Sequence, residues 1–260
     1  MKETEKEEAA PGLVTRRGAL IAGAVAVGGV ILARRFPKIL PPPCGNALRA
    51  GDSFTYGMQK ALLSDRALVR EYRPEDLTSF PATGTTDPGS EKKNEFGESY
   101  RRLRGGAFAD WRLPVGGRVA KPQSFSLSDL KQFPLRTQIT RHTCEEGWTA
   151  IGQWTGVPLS AVLDAAGVLP SARFVVFTAY DGWVDSIDMF DALHPQTILA
   201  YQMNGRDLPI PHGAPVRLRV ERQMGYKSMK FLRGITVADK FEDGGEKGNI
   251  QTGWAWYTGI

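Results

Sequence analysis

The dipeptide Asn204-Gly205, set between the apolar runs 198–203 and 207–210, narrows most sharply what this chain can fold into. A two-residue type I′ turn needs positive φ at both central positions, which Asn and Gly tolerate, so the spacing predicts an antiparallel hairpin. Around it the apolar period is two: Val216, Leu218 and Val220 alternate with Arg217, Arg219 and Glu221, and residues 136–142 also read as a strand. Residues 111–119 read as extended with a Gly116-Gly117 turn, and residues 174–178 as an apolar strand running out into Tyr180-Asp181-Gly182. Helix signals are short. Ser126 with Asp129 three positions later caps a helix over 127–133. Val157-Pro158-Leu159-Ser160 opens another, with Leu159, Val162, Leu163 and Ala166 on one face and a stop at Gly167. The expected class is α+β, mixed and β-rich: a single domain whose loops carry the polar residues, preceded by an N-terminal signal or anchor segment.

The first hundred residues are organised differently. Residues 52–73 suit a helix on the domain edge with Leu62, Leu63, Leu68 and Val69 toward the core, and residues 83–98 read as a long surface loop able to cover or flank a site. Further upstream, Arg16-Arg17 precedes the weakly apolar run 19–33, rich in Ala, Gly and Val. Paired arginines before such a stretch form the twin-arginine export pattern, which sends a folded protein out of the cytoplasm. The segment between Arg17 and Arg34 spans roughly 24 Å as a helix, short of the roughly 30 Å of a bilayer core. Cleavage and inner-membrane anchoring therefore both stand open. Pro41-Pro42-Pro43 stiffens the exit, and Cys44 behind it reads as incidental. The expected boundaries are 1–43 for signal or anchor, 44–109 for an extension with a surface loop, and 110–260 for the main domain.

The net charge of +5 could suggest nucleic acid. Residues 1–43 hold seven Lys/Arg and four Glu, however, which leaves 26 basic and 24 acidic residues elsewhere, so no polyanion-binding face is indicated. Two cysteines a hundred positions apart and three histidines exclude a disulfide scaffold and argue against a zinc site. Any metal must be held mostly by something other than side chains.

Two clusters carry chemistry. Arg141-His142-Thr143-Cys144-Glu145-Glu146-Gly147-Trp148 sets a lone thiol past a strand among charged groups, a setting expected to favour the thiolate. A buried, inert cysteine is the other reading. The second cluster joins His212-Gly213-Ala214-Pro215-Val216-Arg217 to Gly225-Tyr226-Lys227-Ser228-Met229-Lys230. Its glycines permit close backbone approach and its cations and hydroxyl suit a phosphate, while an exposed β-edge with solvated charges would read the same.

Taken in order, Arg-His-x-Cys-x-Glu-Gly-Trp, Trp-x-Gly-Val-Pro-Leu, Asp-Gly-Trp, Asn-Gly, His-Gly-Ala-Pro-x-Arg-Leu and Gly-Tyr-Lys-Ser-x-Lys resemble the molybdopterin-binding domain of the sulfite oxidase family over roughly residues 110–241. In layout the chain is most similar to short bacterial members exported by the twin-arginine route, of the methionine sulfoxide reductase type. The resemblance implies a β-rich molybdopterin fold, molybdenum held by a pterin dithiolene, and Cys144 as its single protein ligand. It also implies cofactor contacts at Thr178, His212, Arg217, Ser228, Met229 and Lys230, with Lys227 helping to neutralise the pterin phosphate. Tyr180 and Arg141 are the candidates beside the substrate oxygen. Trp148, Trp154 and Trp183 are expected as core or pocket wall, and His142 and His194 as structural.

Two departures bear on substrate. The Asn-rich N-terminal pterin contact of the methionine sulfoxide reductase branch has only residues 51–57 as a stand-in, and Glu145 follows the ligand cysteine where many relatives carry valine, so that it would repel sulfite. The implied activity is oxygen-atom transfer, by sulfite oxidation or by S- or N-oxide reduction, on a small-molecule or protein-bound oxo donor or acceptor. A haem-bearing membrane protein or a cytochrome is the expected redox partner, the chain is expected to be a monomer, and no nucleic acid is expected. The alternative is a non-catalytic molybdopterin carrier or interaction module.

Overall fold

A computed structural model describes residues 49–64, 66–242, 244–245 and 254–260. The twin-arginine motif, the apolar run 19–33 and Cys44 lie outside the described residues. No helix among the described residues is long and apolar enough to cross a membrane.

Two sheets build the domain. One has the order β11-β6-β5-β10-β1-β2, from β1 (Arg112–Gly117), β2 (Gln123–Ser126), β5 (Phe174–Ala179), β6 (Trp183–Asp188), β10 (Leu232–Ala238) and β11 (Gly244–Gly245). The other runs β3 (Arg136–Thr143), β4 (Thr149–Pro158), β7 (Ile198–Met203), with β8 (Arg206–Asp207) and β9 (Arg217–Arg219) both pairing β7. Only the β1–β10 pairing is parallel among these strands. One apolar cluster joins Leu113, Val115, Val175 and Phe177 from the first sheet to Val157, Leu199, Tyr201 and Leu218 from the second. The helix α5 (Leu159–Ala166) seals it with the four residues named from the sequence, all fully buried, and ends on Gly167 at φ +69.

The hairpin forms at Asn204 (φ 50) and Gly205 (φ 75), as a type I′ turn demands. Its second strand stops at Asp207, because Pro209 lacks an N–H and leads into a 3-10 turn over Ile210–His212. The capping box on Ser126 holds α4 (Leu127–Leu130), with Asp129 N donating to Ser126 Oγ at 3.1 Å and Ser126 N donating to Asp129 Oδ2 at 2.8 Å.

Three expectations need correction. The expected surface loop over 83–98 is half helical. Asp87 accepts from Gly89 N to start α2 (Pro88–Glu91), and Asn94 accepts from Gly97 N to start α3 (Glu95–Gly105). Tyr100 then pins α3 inward by donating from its hydroxyl to Ala214 O at 2.7 Å. Few apolar residues do this anchoring, which is why composition alone suggested a loop. Secondly, α1 (Arg49–Leu62) docks by its polar face: Tyr56 donates to Asp188 Oδ2 at 2.7 Å and Lys60 pairs with the same carboxylate. Leu62, Leu63 and Leu68 consequently stand exposed and Val69 half-buried. Thirdly, β9 and the residues after it bury both alternating sets, charged Arg217, Arg219 and Glu221 included.

Candidate active site

A cavity of about 310 Å³ opens where the β3–β4 hairpin meets segments 80–85, 211–217 and 225–230. Cys144 sits in the hairpin turn. Its N–H donates to Trp148 O at 2.9 Å, and Gly147, at φ +91, donates back to Cys144 O at 3.1 Å. Backbone bonds thus hold the turn in shape, and the thiol itself meets the Glu146 N–H and the Glu145 carboxylate. Burial pushes that thiol up to about 11; the Glu146 N–H counteracts, and the Glu145 and Glu146 carboxylates push further up. This corrects the expectation of a free thiolate, because burial and the two carboxylates act together against the charged form. A bound cation reverses the balance, since a coordinating thiol gives up its proton to the metal bond.

The facing wall carries the second cluster. Arg217 is 4 % exposed, donates from Nη1 to His212 O at 3.0 Å and from Nη2 to Ser228 O at 2.7 Å, and lies 5.0 Å over the Trp154 ring. Its Nε–H is buried with no partner. Lys230 Nζ donates to Thr83 O at 2.8 Å and Pro211 O at 3.1 Å, and also to Thr85 O, which ties segment 83–85 to the cavity. His212 is driven down to about 4 by burial, then by Arg217 and Lys230, and is neutral at pH 7. Gly213, at φ +109, meets the Lys230 side chain where a Cβ would stand, so this approach requires glycine. Ser228 and Met229 line the same wall.

Four candidates lie elsewhere. Lys227 is 1 % exposed and donates to Asp185 Oδ1 at 2.8 Å and Ser186 O at 3.1 Å, a buried pair that fastens segment 225–230 to β6. Thr178 is held within β5 opposite Val184 and Gly234. Tyr180 belongs to the core, 5.6 Å from the Tyr100 ring. Arg141 follows the strand period of two onto the face opposite His142, where it stacks 5.4 Å over Tyr72. None of the four lines the cavity. Replacing Lys227 with methionine is expected to remove the buried ammonium that neutralises Asp185 and cost about 3–5 kcal/mol, while pterin content per folded molecule, measured beside the melting transition, stays at the wild-type level.

Sequence reasoning passed over other wall residues. Phe80 and Trp254 come from distant segments without a motif to flag them, while Thr83, Gly84 and Thr85 begin the segment expected to flank a site and Asp181 opens the Asp-Gly-Trp motif, none of them named as a site residue. His142, read as structural, lines the cavity, and burial followed by Arg219 and Arg217 holds it well below its ordinary value. Gly225 touches its ring edge so closely that any Cβ would overlap it.

Whether these residues suit a metal–pterin group can be judged from the wall itself. No group of three or more His, Cys, Asp or Glu among the described residues could hold a metal ion. A lone thiol shares the cavity lining with Arg217, whose buried Nε–H has no acceptor, and with glycine backbone and a lysine side chain. A group that brings its own metal ligands and an anionic tail would satisfy that orphan donor and use the single thiol. The donor set fits such a group.

A β-rich domain with this constellation has the form of a cofactor-dependent redox protein. Residues 104–245 match the model of the oxidoreductase molybdopterin-binding domain. The chain is 33% identical to the putative protein-methionine-sulfoxide reductase subunit YedZ1 of Azospira oryzae, over 82% of this chain and 76% of that one. It is 32% identical to the protein-methionine-sulfoxide reductase catalytic subunit MsrP of Xanthomonas axonopodis pv. citri, over 66% of this chain, and spans 56% of that relative's length. A solved structure, the sulfane dehydrogenase SoxCD of Paracoccus pantotrophus, aligns with TM-score 0.49 at 29% identity, covering 51% of this chain and 39% of that one. The chain belongs to the oxidoreductase molybdopterin-binding domain family. It is a molybdopterin-dependent oxidoreductase, and its cofactor is molybdenum held by molybdopterin.

Proposed function

We propose that this chain reduces S-oxides by oxygen-atom transfer, with Cys144 as the molybdenum ligand and His212, Arg217, Ser228, Met229 and Lys230 as the pterin-holding wall. The observation that carries this reading is that Cys144 and Arg217 line one cavity together with His212, Ser228, Met229 and Lys230. When bound, the cofactor supplies a two-electron couple able to exchange an oxygen atom. The rest is the work of side chains. Phe80, Trp148 and Trp183 wall the cavity with apolar surface, and Arg217 brings a positive charge with a buried, unpartnered Nε–H to its lining.

Charge favours the reducing direction. Glu145, Glu146 and Asp181 line the same cavity, whereas the two lining cations, Arg217 and Lys230, already donate to backbone carbonyls. An uncharged sulfoxide is tolerated there better than the sulfite dianion, which would meet like charge. The relatives named for methionine sulfoxide reduction point the same way. Two electrons and two protons convert the sulfoxide to thioether and water. A haem-bearing membrane protein or cytochrome is the proposed electron donor, and the Arg16-Arg17 pattern supports export by the twin-arginine route, with the chain acting as a monomer outside the cytoplasm, either released or held at the inner membrane. The test is turnover of methionine sulfoxide with a reduced viologen against oxidation of sulfite with ferricyanide. Faster sulfite oxidation would overturn the proposed direction.

A further inference from the structure

We infer that His142 is a fixed hydrogen-bond donor, through Nε2, to an oxygen of the substrate bound beside Cys144, and that its contact with Arg219 sets that tautomer. The inference rests on the cavity being the reaction site.

The geometry begins at a buried carboxylate. Glu221, 3 % exposed, accepts from Arg219 Nε at 3.0 Å and from Arg219 Nη2 at 2.8 Å, a two-pronged pairing that leaves the guanidinium no rotational freedom. Gln138 Nε2 adds a third bond to Glu221 at 3.0 Å and reaches Gln196 O at 3.0 Å. Trp154 covers the flat face of Arg219, 4.5 Å from its Cζ. The remaining arm, Nη1, lies 2.8 Å from His142 Nδ1.

Arginine is a donor and never an acceptor, so Nδ1 must be the acceptor in this bond. A neutral imidazole with a lone pair on Nδ1 carries its hydrogen on Nε2. The Arg219 contact thus decides the tautomer. Gly225 touches the edge holding Cε1 and Nε2, and Phe80 and Trp148 stand at 5.2 and 5.4 Å between ring centroids, so the imidazole is clamped on three sides. The ring lines the cavity two residues from Cys144. An N–H donor fixed at this position suits an S-oxide oxygen, which only accepts.

The test uses the full-length oxidised holoenzyme at pH 7, which holds sulfoxide without turning it over when no reductant is present. Long-range nitrogen–proton NMR correlations, assigned with His142→Phe, should show the Nε2–H tautomer. Added methionine sulfoxide should move the Nε2 proton downfield and slow its exchange. His142→Phe should keep its molybdenum and pterin and lose about tenfold in kcat/KM, the scale of one hydrogen bond; His142→Gln, which retains a donor, should recover most of that loss. An Nδ1–H tautomer, or an unmoved Nε2 proton at saturating sulfoxide, overturns the inference. So does a His142→Phe enzyme with unchanged kcat/KM. Should the wild-type enzyme oxidise sulfite and ignore sulfoxide, the substrate reading fails separately, and the same Nε2 proton is followed in the presence of sulfate, the oxidised product: a shift then supports His142 and its absence overturns it.

Discussion

Replacing Cys144 with serine is expected to abolish turnover while leaving pterin content close to the wild-type level. The hairpin turn that presents residue 144 is closed by backbone bonds, from Cys144 N to Trp148 O and from Gly147 N to Cys144 O, and neither depends on the sulfur. Serine fits the same buried volume, so the fold survives. The hydroxyl does not deprotonate to bind a soft metal as a thiolate does. Loss of an outer partner to a metal ligand already costs about 10- to 100-fold, so loss of the ligand itself should cost more. The pterin wall lies on other segments and keeps its donors. Pterin is measured by its fluorescent oxidation product and turnover with reduced viologen; an active serine variant would remove Cys144 from the metal.

The second large effect is expected at Arg217. Its guanidinium ties His212 O to Ser228 O, covers Trp154, and has no carboxylate partner among the described ion pairs. Burial and the neighbouring Arg219 both press against its charged form. An anionic occupant relieves that pressure, so protein and cofactor stabilise each other here. Arg217→Ala should lose most of its molybdenum on gel filtration and melt lower by about 1–3 kcal/mol, because a buried and a part-buried carbonyl lose their donor. Arg217→Lys should restore charge without the fork and recover only part of the retention. Molybdenum occupancy unchanged in Arg217→Ala would refute the cofactor role.

The strands and short helices were legible because their signals are local. Asn204-Gly205, Ser126 with Asp129, and Gly167 each fix a turn or cap through their own backbone preferences. Which face of an alternating strand is buried is not local, and there the sequence misled: Arg219 and Glu221 look solvated beside Val220, yet they neutralise each other inside the domain. The same ambiguity hid His142, whose partner lies 77 positions away. Arg141 and Tyr180 are chemically apt for a substrate site, but strand parity and core packing turn them from the cavity. Lys227 has the charge for a phosphate and uses it on Asp185 instead. Leu62 and Leu63 were misread because α1 docks through Tyr56 and Lys60, a polar anchorage that an apolar pattern cannot announce.

The central claim is a Cys144-ligated molybdenum centre that passes electrons to S-oxides. Its most direct test is electron paramagnetic resonance with metal analysis on the full-length protein made in a molybdopterin-producing host. One molybdenum per chain is expected, with a signal that appears on partial reduction, disappears when methionine sulfoxide reoxidises the centre, and is altered in Cys144→Ser. Folded protein free of molybdenum and pterin would contradict the account, as would a signal that Cys144→Ser leaves unchanged or that methionine sulfoxide never affects.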